Sequence, residues 1–313
     1  MSHNDCNGCG VCMLSCPVWQ QSHTQALTMC GRARLIANGA AEEDLAESAQ
    51  ACILCGSCEP LCPRGMDTQR ATLSLRQQLV KRGLLQVIGT HHRSRQTGQV
   101  RSEALFLPGQ TLRDHKPVLE QCERLLGNRV LCAADDGTDI CHDLECGTEI
   151  DDKRLEDFLA PLRDAREIIA SDGMMVNFLS TLLGPKVRVR GLGQALLESA
   201  QVRRGIKRTD LYIIETRTFN GRRGELVMQY ESLRQKTGCF MNLDLHRVAT
   251  PTGAMSAQYR MNHQALVSVE AQIKWLLEGR SAERIVVEHL EDGAAFRKHT
   301  SLPVVHLAEV AEP

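Results

Sequence analysis

Eight cysteines within the first 62 residues form two copies of one spacing, and this constrains the fold more than any other feature of the chain. From Cys6 the sequence reads C-N-G-C-G-V-C-M-L-S-C-P. From Cys52 it reads C-I-L-C-G-S-C-E-P-L-C-P, so each copy is C-x2-C-x2-C-x3-C-P. Paired runs of this kind hold two cubane iron–sulfur clusters, with the fourth cysteine of each run ligating the other cluster. Cys6, Cys9, Cys12 and Cys62 are therefore assigned to one [4Fe–4S] cluster, and Cys52, Cys55, Cys58 and Cys16 to a second. Three thiolates come from one tight turn, where Gly8, Gly10 and Gly56 let the backbone approach the sulfides closely. Pro17 and Pro63 are expected to turn the chain away after the fourth cysteine. Structural zinc also takes four cysteines, but its sites pair two C-x2-C knuckles, whereas each run here presents three thiolates and then C-P.

The remaining composition narrows the setting. Of the 14 cysteines, the eight in the runs are reserved for iron, which fits a reducing cytosol better than a disulfide framework. A formal net charge of -1 gives no sign of a nucleic-acid partner. No apolar run approaches the ~18 residues of a membrane span, and the N-terminus has no basic-then-apolar signal. A cytoplasmic location follows, at the inner face of a membrane if a partner holds the chain there. With aromatic residues at 4%, the core must be mostly aliphatic.

Between the runs, residues 26–38 read as a helix stopped by Gly39, and residues 42–52 as another. A third spans residues 68–83, with Ala71, Leu75 and Leu79 on one face. Helices feeding both cysteine runs argue for a helical ferredoxin rather than a hairpin-based one. Residues 89–117 are polar and broken by Gly and Pro, and carry His91, His92, Arg93, Arg95 and Arg101; they read as a solvated connector, with a partner-docking segment as the alternative. From Val118 short apolar runs alternate with helical stretches, the mark of an α/β domain. Strands are expected at 129–133, 167–171, 187–190, 211–215, 240–245, 284–288 and 304–307. Helices are expected at 153–162, 175–183, 194–200, 225–236 and 262–277. An echo links Ala165-Arg-Glu-Ile-Ile, Asp172-Gly173 and Phe178 with Ala282-Glu-Arg-Ile-Val, Asp292-Gly293 and Phe296. The expected architecture is an α-helical two-cluster ferredoxin domain (1–88), a linker (89–124) and an α/β domain (125–313). The last is built of two degenerate half-repeats, about 125–205 and 206–313.

The two runs, with Gly31-Arg-Ala-Arg-Leu-Ile between them, resemble the iron–sulfur subunits of heterodisulfide reductase, glycolate oxidase and anaerobic glycerol-3-phosphate dehydrogenase. The resemblance is specific over about residues 3–85 and extends to the remainder in layout rather than in motif. It implies that the second region is a tandem cysteine-rich domain, whose halves each carry C-C-G and a later C-x2-C for a further, non-cubane cluster. This chain departs from that pattern. Ala249-Thr250-Pro251-Thr252-Gly253-Ala254 stands where the second C-C-G would be, and Glu288-His289-Leu290-Glu291 where the second C-x2-C would be. The comparable stretch of the first half, residues 170–174, also lacks cysteine. The thiolates for direct disulfide reduction are thus missing.

Cys132, Cys141 and Cys146, with His142, form a candidate third site, since thiolate and imidazole suit zinc and iron. Its alternative is three separate inert cysteines. Cys239 reads as core, and Cys30 as packing against the second cluster without binding it. His289 and His299 are not assigned as ligands. Val11, Met13, Leu14, Ile53 and Leu54, lying between ligands, are expected to exclude water. No dinucleotide fingerprint, phosphate loop or haem motif is present, and no residue is assigned as catalytic. These features predict an electron-transfer subunit with two one-electron centres. The resemblance implies a flavin dehydrogenase or other redox partner, and a quinone, flavoprotein or iron–sulfur acceptor. The alternatives are a heterodisulfide-reductase-like subunit acting on thiols or disulfides, and an iron–sulfur redox sensor.

Overall fold

The protein is described by a computed structural model covering residues 5–87, 102–244, 248–262 and 265–312. The side chains at His91, His92, Arg93, Arg95 and Arg101, and the end of the expected strand at Leu245, lie outside the described residues.

The ordered elements of the N-terminal region are all helical, and the second cysteine run lies in an irregular stretch between Ala51 and Thr68. A 3-10 turn, Val11–Ser15, opens at Gly10, whose φ of 76° suits glycine. Helices follow at Pro17–Ser22, Met29–Ala37, Ala46–Ala51 and Thr68–Lys81. Pro17 does not turn the chain away as expected; it starts a helix at a position where its missing N–H costs nothing. Thr28 caps the second helix by accepting from Gly31 N, and Asp67 caps the fourth by accepting from Arg70 N. A Cβ on Gly31 would lie 1.9 Å from the Gln25 carbonyl oxygen, so only glycine allows this helix to lie against the preceding turn.

Among the described residues ten strands follow: β1 (Ala104–Leu107), β2 (Val130–Cys132), β3 (Glu167–Ala170), β4 (Arg188–Gly191), β5 (Asp210–Ile213), β6 (Phe240–Met241), β7 (Leu243–Asp244), β8 (Val248–Ala249), β9 (Arg284–Val287) and β10 (Val304–His306). They form two four-stranded parallel sheets, β2-β1-β3-β4 and β10-β9-β5-β6, and a small antiparallel pair, β7-β8. Numbered within its own sheet and read from the appropriate edge, each large sheet has the order 2-1-3-4. Strands such as Ile285-Val-Val and Leu211-Tyr-Ile are buried on both faces, as parallel strands flanked by helices must be.

The stretch expected to be a linker contradicts that reading. Residues 104–107 pair with both β2 and β3, and Gly109–Asp114 and Lys116–Leu126 are helical. Ala104-Leu-Phe-Leu is a four-residue apolar run set among polar residues, too short for its periodicity to stand out. Helices at Thr138–Cys146, Thr216–Gly221 and Leu290–His299 also lacked a legible signal, and the expected helix 194–200 is two helices, Leu192–Leu196 and Ala200–Gly205. The strands of the sequence echo, β3 and β9, do hold equivalent places. Its Asp-Gly pairs do not: Asp172 caps the helix Gly173–Leu183, whereas the cap after β9 is His289 and Asp292 lies inside its helix.

The N-terminal region sits directly on the α/β region. Helix Thr68–Lys81 meets the end of helix Thr138–Cys146, where a Cβ on Gly147 would lie 2.6 Å from the carbonyl carbon of Arg76. Arg76 Nη1 donates to the Glu145 carbonyl at 2.5 Å. The turn Ile53–Cys58 rests on the second sheet's connections: Ser57 Oγ donates to the Ala249 carbonyl at 3.0 Å, and Asn220 Nδ2 to the Cys55 carbonyl at 3.0 Å.

Candidate metal centre

Cysteines of one run lie beside cysteines of the other. Cys6 and Cys62 pack on the same apolar group, Met29, Met66 and Ala71. Cys16 and Cys55 pack on another, Val18, Leu27, Ala51 and Ile53. A cavity of about 30 Å³ is lined by Cys12, Cys16, Cys52, Cys55 and Cys58, and by Arg32. Cys12 also lies near Cys30, Cys6 and Cys62, between the two sets. Cys30, fully buried, stands beside Cys6 and Cys12 rather than against the second set as expected.

Backbone geometry holds these turns. Gly8, Gly10 and Gly56 all have positive φ, as does Leu54 at 54°. Leu54 is a non-glycine residue in a left-handed conformation, buried between Cys52 and Cys55. Strain of this kind persists only where the surroundings fix it, and it collects at functional sites. A Cβ on Gly56 would come within 2.5 Å of Gln69 Nε2 and 3.2 Å of Asn220 Cβ, so the turn is clamped between both regions of the chain. Ile53 and Leu54 are buried and Met13 half-buried, but Leu14 is 60% exposed and Val11 39%, and Cys9 faces solvent. Exposure is greatest at Cys9, while Cys16, Cys52, Cys55 and Cys58 are half-buried.

The protonation of the thiols fits a bound cationic centre. Burial pushes Cys12 and Cys55 up to about 12, and nearby Cys30 and Cys52 respectively add to it. Burial drives Cys58 well above its ordinary value, although Thr68 Oγ1 lies 2.9 Å from its sulfur. Burial also opposes ionisation of Cys52, but the Arg32 and Arg76 guanidiniums outweigh it and its thiol is lowered. Thiolates in apolar surroundings need a positive charge among them, which iron supplies. The donor set, the glycine-lined turns and these buried thiols fit [4Fe–4S] clusters; when bound, such clusters accept and release single electrons.

The proposed third site is not assembled. Cys132 packs in the core around Phe106 and Tyr212, Cys141 in the core of the first sheet, and Cys146 faces a separate small pocket beside Arg76. Cys146 Sγ lies 3.6 Å from His142 Nε2. Among the described residues no three His, Cys, Asp or Glu side chains are placed to hold a single metal ion. Cys239 is core, as expected.

Sequence reasoning missed a buried ionic core joining the regions. Glu145 Oε1 accepts from Arg217 Nη2 at 2.6 Å and from Ala257 N at 2.8 Å, and Glu145 Oε2 accepts from Arg260 Nη2 at 2.8 Å. Burial opposes the charge on Glu145, yet Arg217 and Arg260 hold it down at about 2. It also missed a cavity of about 180 Å³ beyond the carboxyl ends of β1, β3 and β9. Asp172, Glu288, His289 and Glu291 are in its wall. The stretch where the resemblance calls for C-x2-C thus borders a cavity, and Ala249, at the C-C-G stretch, lies under the Ser57 turn.

Residues 2–66 match the family model of the 4Fe-4S dicluster domain. No curated protein and no solved structure matches the chain. The helical N-terminal region, its converging thiols and this match define an iron–sulfur protein with a 4Fe-4S dicluster domain, followed by an α/β region with parallel sheets. Such a domain serves electron transfer. No helix among the described residues is long and apolar enough to cross a membrane.

Proposed function

We propose that the chain is a non-catalytic electron-transfer subunit that relays electrons through two [4Fe–4S] clusters. Cys6, Cys9, Cys12 and Cys62 would hold the first, and Cys52, Cys55, Cys58 and Cys16 the second. It would work between a flavin-containing dehydrogenase or other redox partner and a quinone, flavoprotein or iron–sulfur acceptor. The observation that carries this reading is the crossing of the cysteines: Cys16 shares a cavity and a packing group with Cys55, while Cys62 packs with Cys6. In a two-cluster relay each run contributes one ligand to the neighbouring site, which keeps the two centres close.

The α/β region is proposed to be a degenerate tandem cysteine-rich domain that retains its fold as a docking scaffold, in a chain related to the heterodisulfide reductase and glycolate oxidase iron–sulfur subunits. The shared strand order of the two sheets supports two half-repeats, the first of which would begin at β1 rather than near residue 125. Separation of Cys132, Cys141 and Cys146 gives no support to a thiol–disulfide enzyme built on them.

The test is metal analysis and spectroscopy of protein handled without air. About eight irons per chain are expected from two such clusters. Cys16→Ser is expected to damage the centre held by Cys52, Cys55 and Cys58 and to spare the other. Selective loss of the first centre would contradict the crossed assignment, and a colourless, zinc-loaded, folded preparation would end the relay reading.

A further inference from the structure

Buried guanidinium groups stand beside the Cys52 turn. Arg32 is fully buried, and Arg76 and Arg217 nearly so. Arg32 lies in the wall of the cavity that Cys16, Cys52, Cys55 and Cys58 share. Its Nη1 donates to the Ser48 carbonyl at 2.6 Å and its Nη2 to Thr72 Oγ1 at 2.8 Å, which fixes the plane of the group. Its Nε is buried with no hydrogen-bond partner among the described residues, and the guanidinium stands against the Cys52 thiol. Arg76 donates to the Cys52 carbonyl from Nη2 and to the Ala49 carbonyl from Nε. Arg217 reaches the Ile53 carbonyl at 3.4 Å, but Glu145 neutralises it. Among the described residues no carboxylate lies within ion-pair distance of Arg32 or Arg76.

Burying a cation without a counter-anion is strongly unfavourable, so this pair of arginines calls for a permanent anion in the cavity beside them. A cubane with four thiolate ligands is one, and its reduction adds a further negative charge. The first set has the opposite surroundings: Cys9 faces water, and Arg34, the cation beside Gly8, is exposed. Hydrogen bonds to sulfur, nearby charge and exposure together set the potential of such a centre. Burial of the apolar surroundings of the second site, Ile53 and Leu54, opposes an added electron. Two unpaired cations and a charge-assisted donor favour it, and in low dielectric these outweigh the lost hydration.

We propose that Arg32 is a potential-setting residue: its Nε donates to the sulfur of Cys52, and its charge raises the reduction potential of the second centre above that of the first. One electron given at the exposed end by a reduced flavin, which is oxidised by one electron, would then come to rest at the buried end. The inference rests on the cluster assignment made under Proposed function.

The experiment uses full-length protein loaded with iron and sulfide without air, its iron measured first, then titrated with dithionite under electron paramagnetic resonance. Two reduction steps are expected. The centre reduced first should keep its relaxation when a dissolved dysprosium chelate is added, and the centre reduced second should relax faster. Arg32→Gln should move the more positive step down by at least tenfold in the equilibrium between the two centres, ~59 mV for one electron, and leave the other in place. Arg32→Lys should recover part of that shift, and Arg34→Gln should leave the more positive step where it is. The proposal is overturned if the chelate relaxes the centre reduced first, or if Arg32→Gln with full iron leaves both steps unmoved. Should Arg32→Gln fail to take up iron, the relaxation measurement on the parent protein decides alone. Parent protein without two clusters would instead overturn the relay reading.

Discussion

At the scale of single residues, His289 and Glu291 form an ion pair whose charge burial opposes and each partner restores. His289 Nδ1 lies 2.5 Å from Glu291 Oε2, at the cavity beyond β9. Burial disfavours the imidazolium, but Glu291, with Asp172 and Asp292, outweighs it and brings the group up to about 9. Glu291 in turn, although buried, is held at about 2 by His289. An imidazole raised above its unfolded value of ~6.5 adds stability that is complete below that pH and is lost as pH climbs through the folded value. The carboxylate's contribution is present above ~4.3 and is lost toward about 2, so the pair is fully effective between roughly 4.3 and 6.5. His289→Gln is therefore expected to unfold at a lower temperature than the parent at pH 6, the gap narrowing between ~6.5 and about 9. Thermal unfolding at pH 6, 8 and 10 checks this; a gap that widens with pH would sink it.

Between elements, the contact that most directly ties the dicluster region to the α/β region is made through glycine. Gly147 follows the helix Thr138–Cys146 with φ 80°, and its missing Cβ is the space that Arg76 occupies. Gly147→Ala is expected to push the two helices apart, because the atom it would strike is backbone and cannot swing away. The Arg76 bond to the Glu145 carbonyl would be lost with it. Faster loss of iron to an added chelator, with the two sheets retained by circular dichroism, is the expected outcome; an unchanged rate would show that this contact does not hold the cluster turn. None of this was legible in the sequence. The cysteine spacing, the helix Thr68–Lys81 and the strong apolar strands β3, β5 and β9 could be read because each is a local pattern. β1 could not, because four apolar residues beside Pro108-Gly109 become a strand only through their neighbours on both sides. Glu145, Arg217 and Arg260 escaped for a related reason. A buried ion pair is made by residues 72 positions apart that look, one at a time, like ordinary surface charges.

At the scale of the whole molecule, Arg32 and Arg76 make stability depend on what the cysteines hold. With iron withdrawn at neutral pH, Cys12 and Cys55, up at about 12, take protons and stop supplying negative charge. Two buried guanidiniums then face the cavity with Cys52, whose thiol they lower, set against two cations, and leaving one buried charge uncompensated costs about 3–5 kcal/mol. Ligand binding to the folded state alone adds to the difference. For a domain of this size, ~1 kcal/mol is worth about 2–4 °C in Tm, so anaerobic removal of iron should lower the unfolding temperature by roughly 10 °C. The loss should not be confined to the N-terminal region. The turn Ile53–Cys58 is hydrogen-bonded to Asn220 and Ala249, so amide exchange at residues 216–220 and 248–257 should quicken as well. Exchange that quickens only before residue 87, with Tm unchanged, would mean that the arginines find another counter-charge and that the α/β region does not sense the clusters. If both regions respond together, the turn Ile53–Cys58 is a structural part of the interface between them.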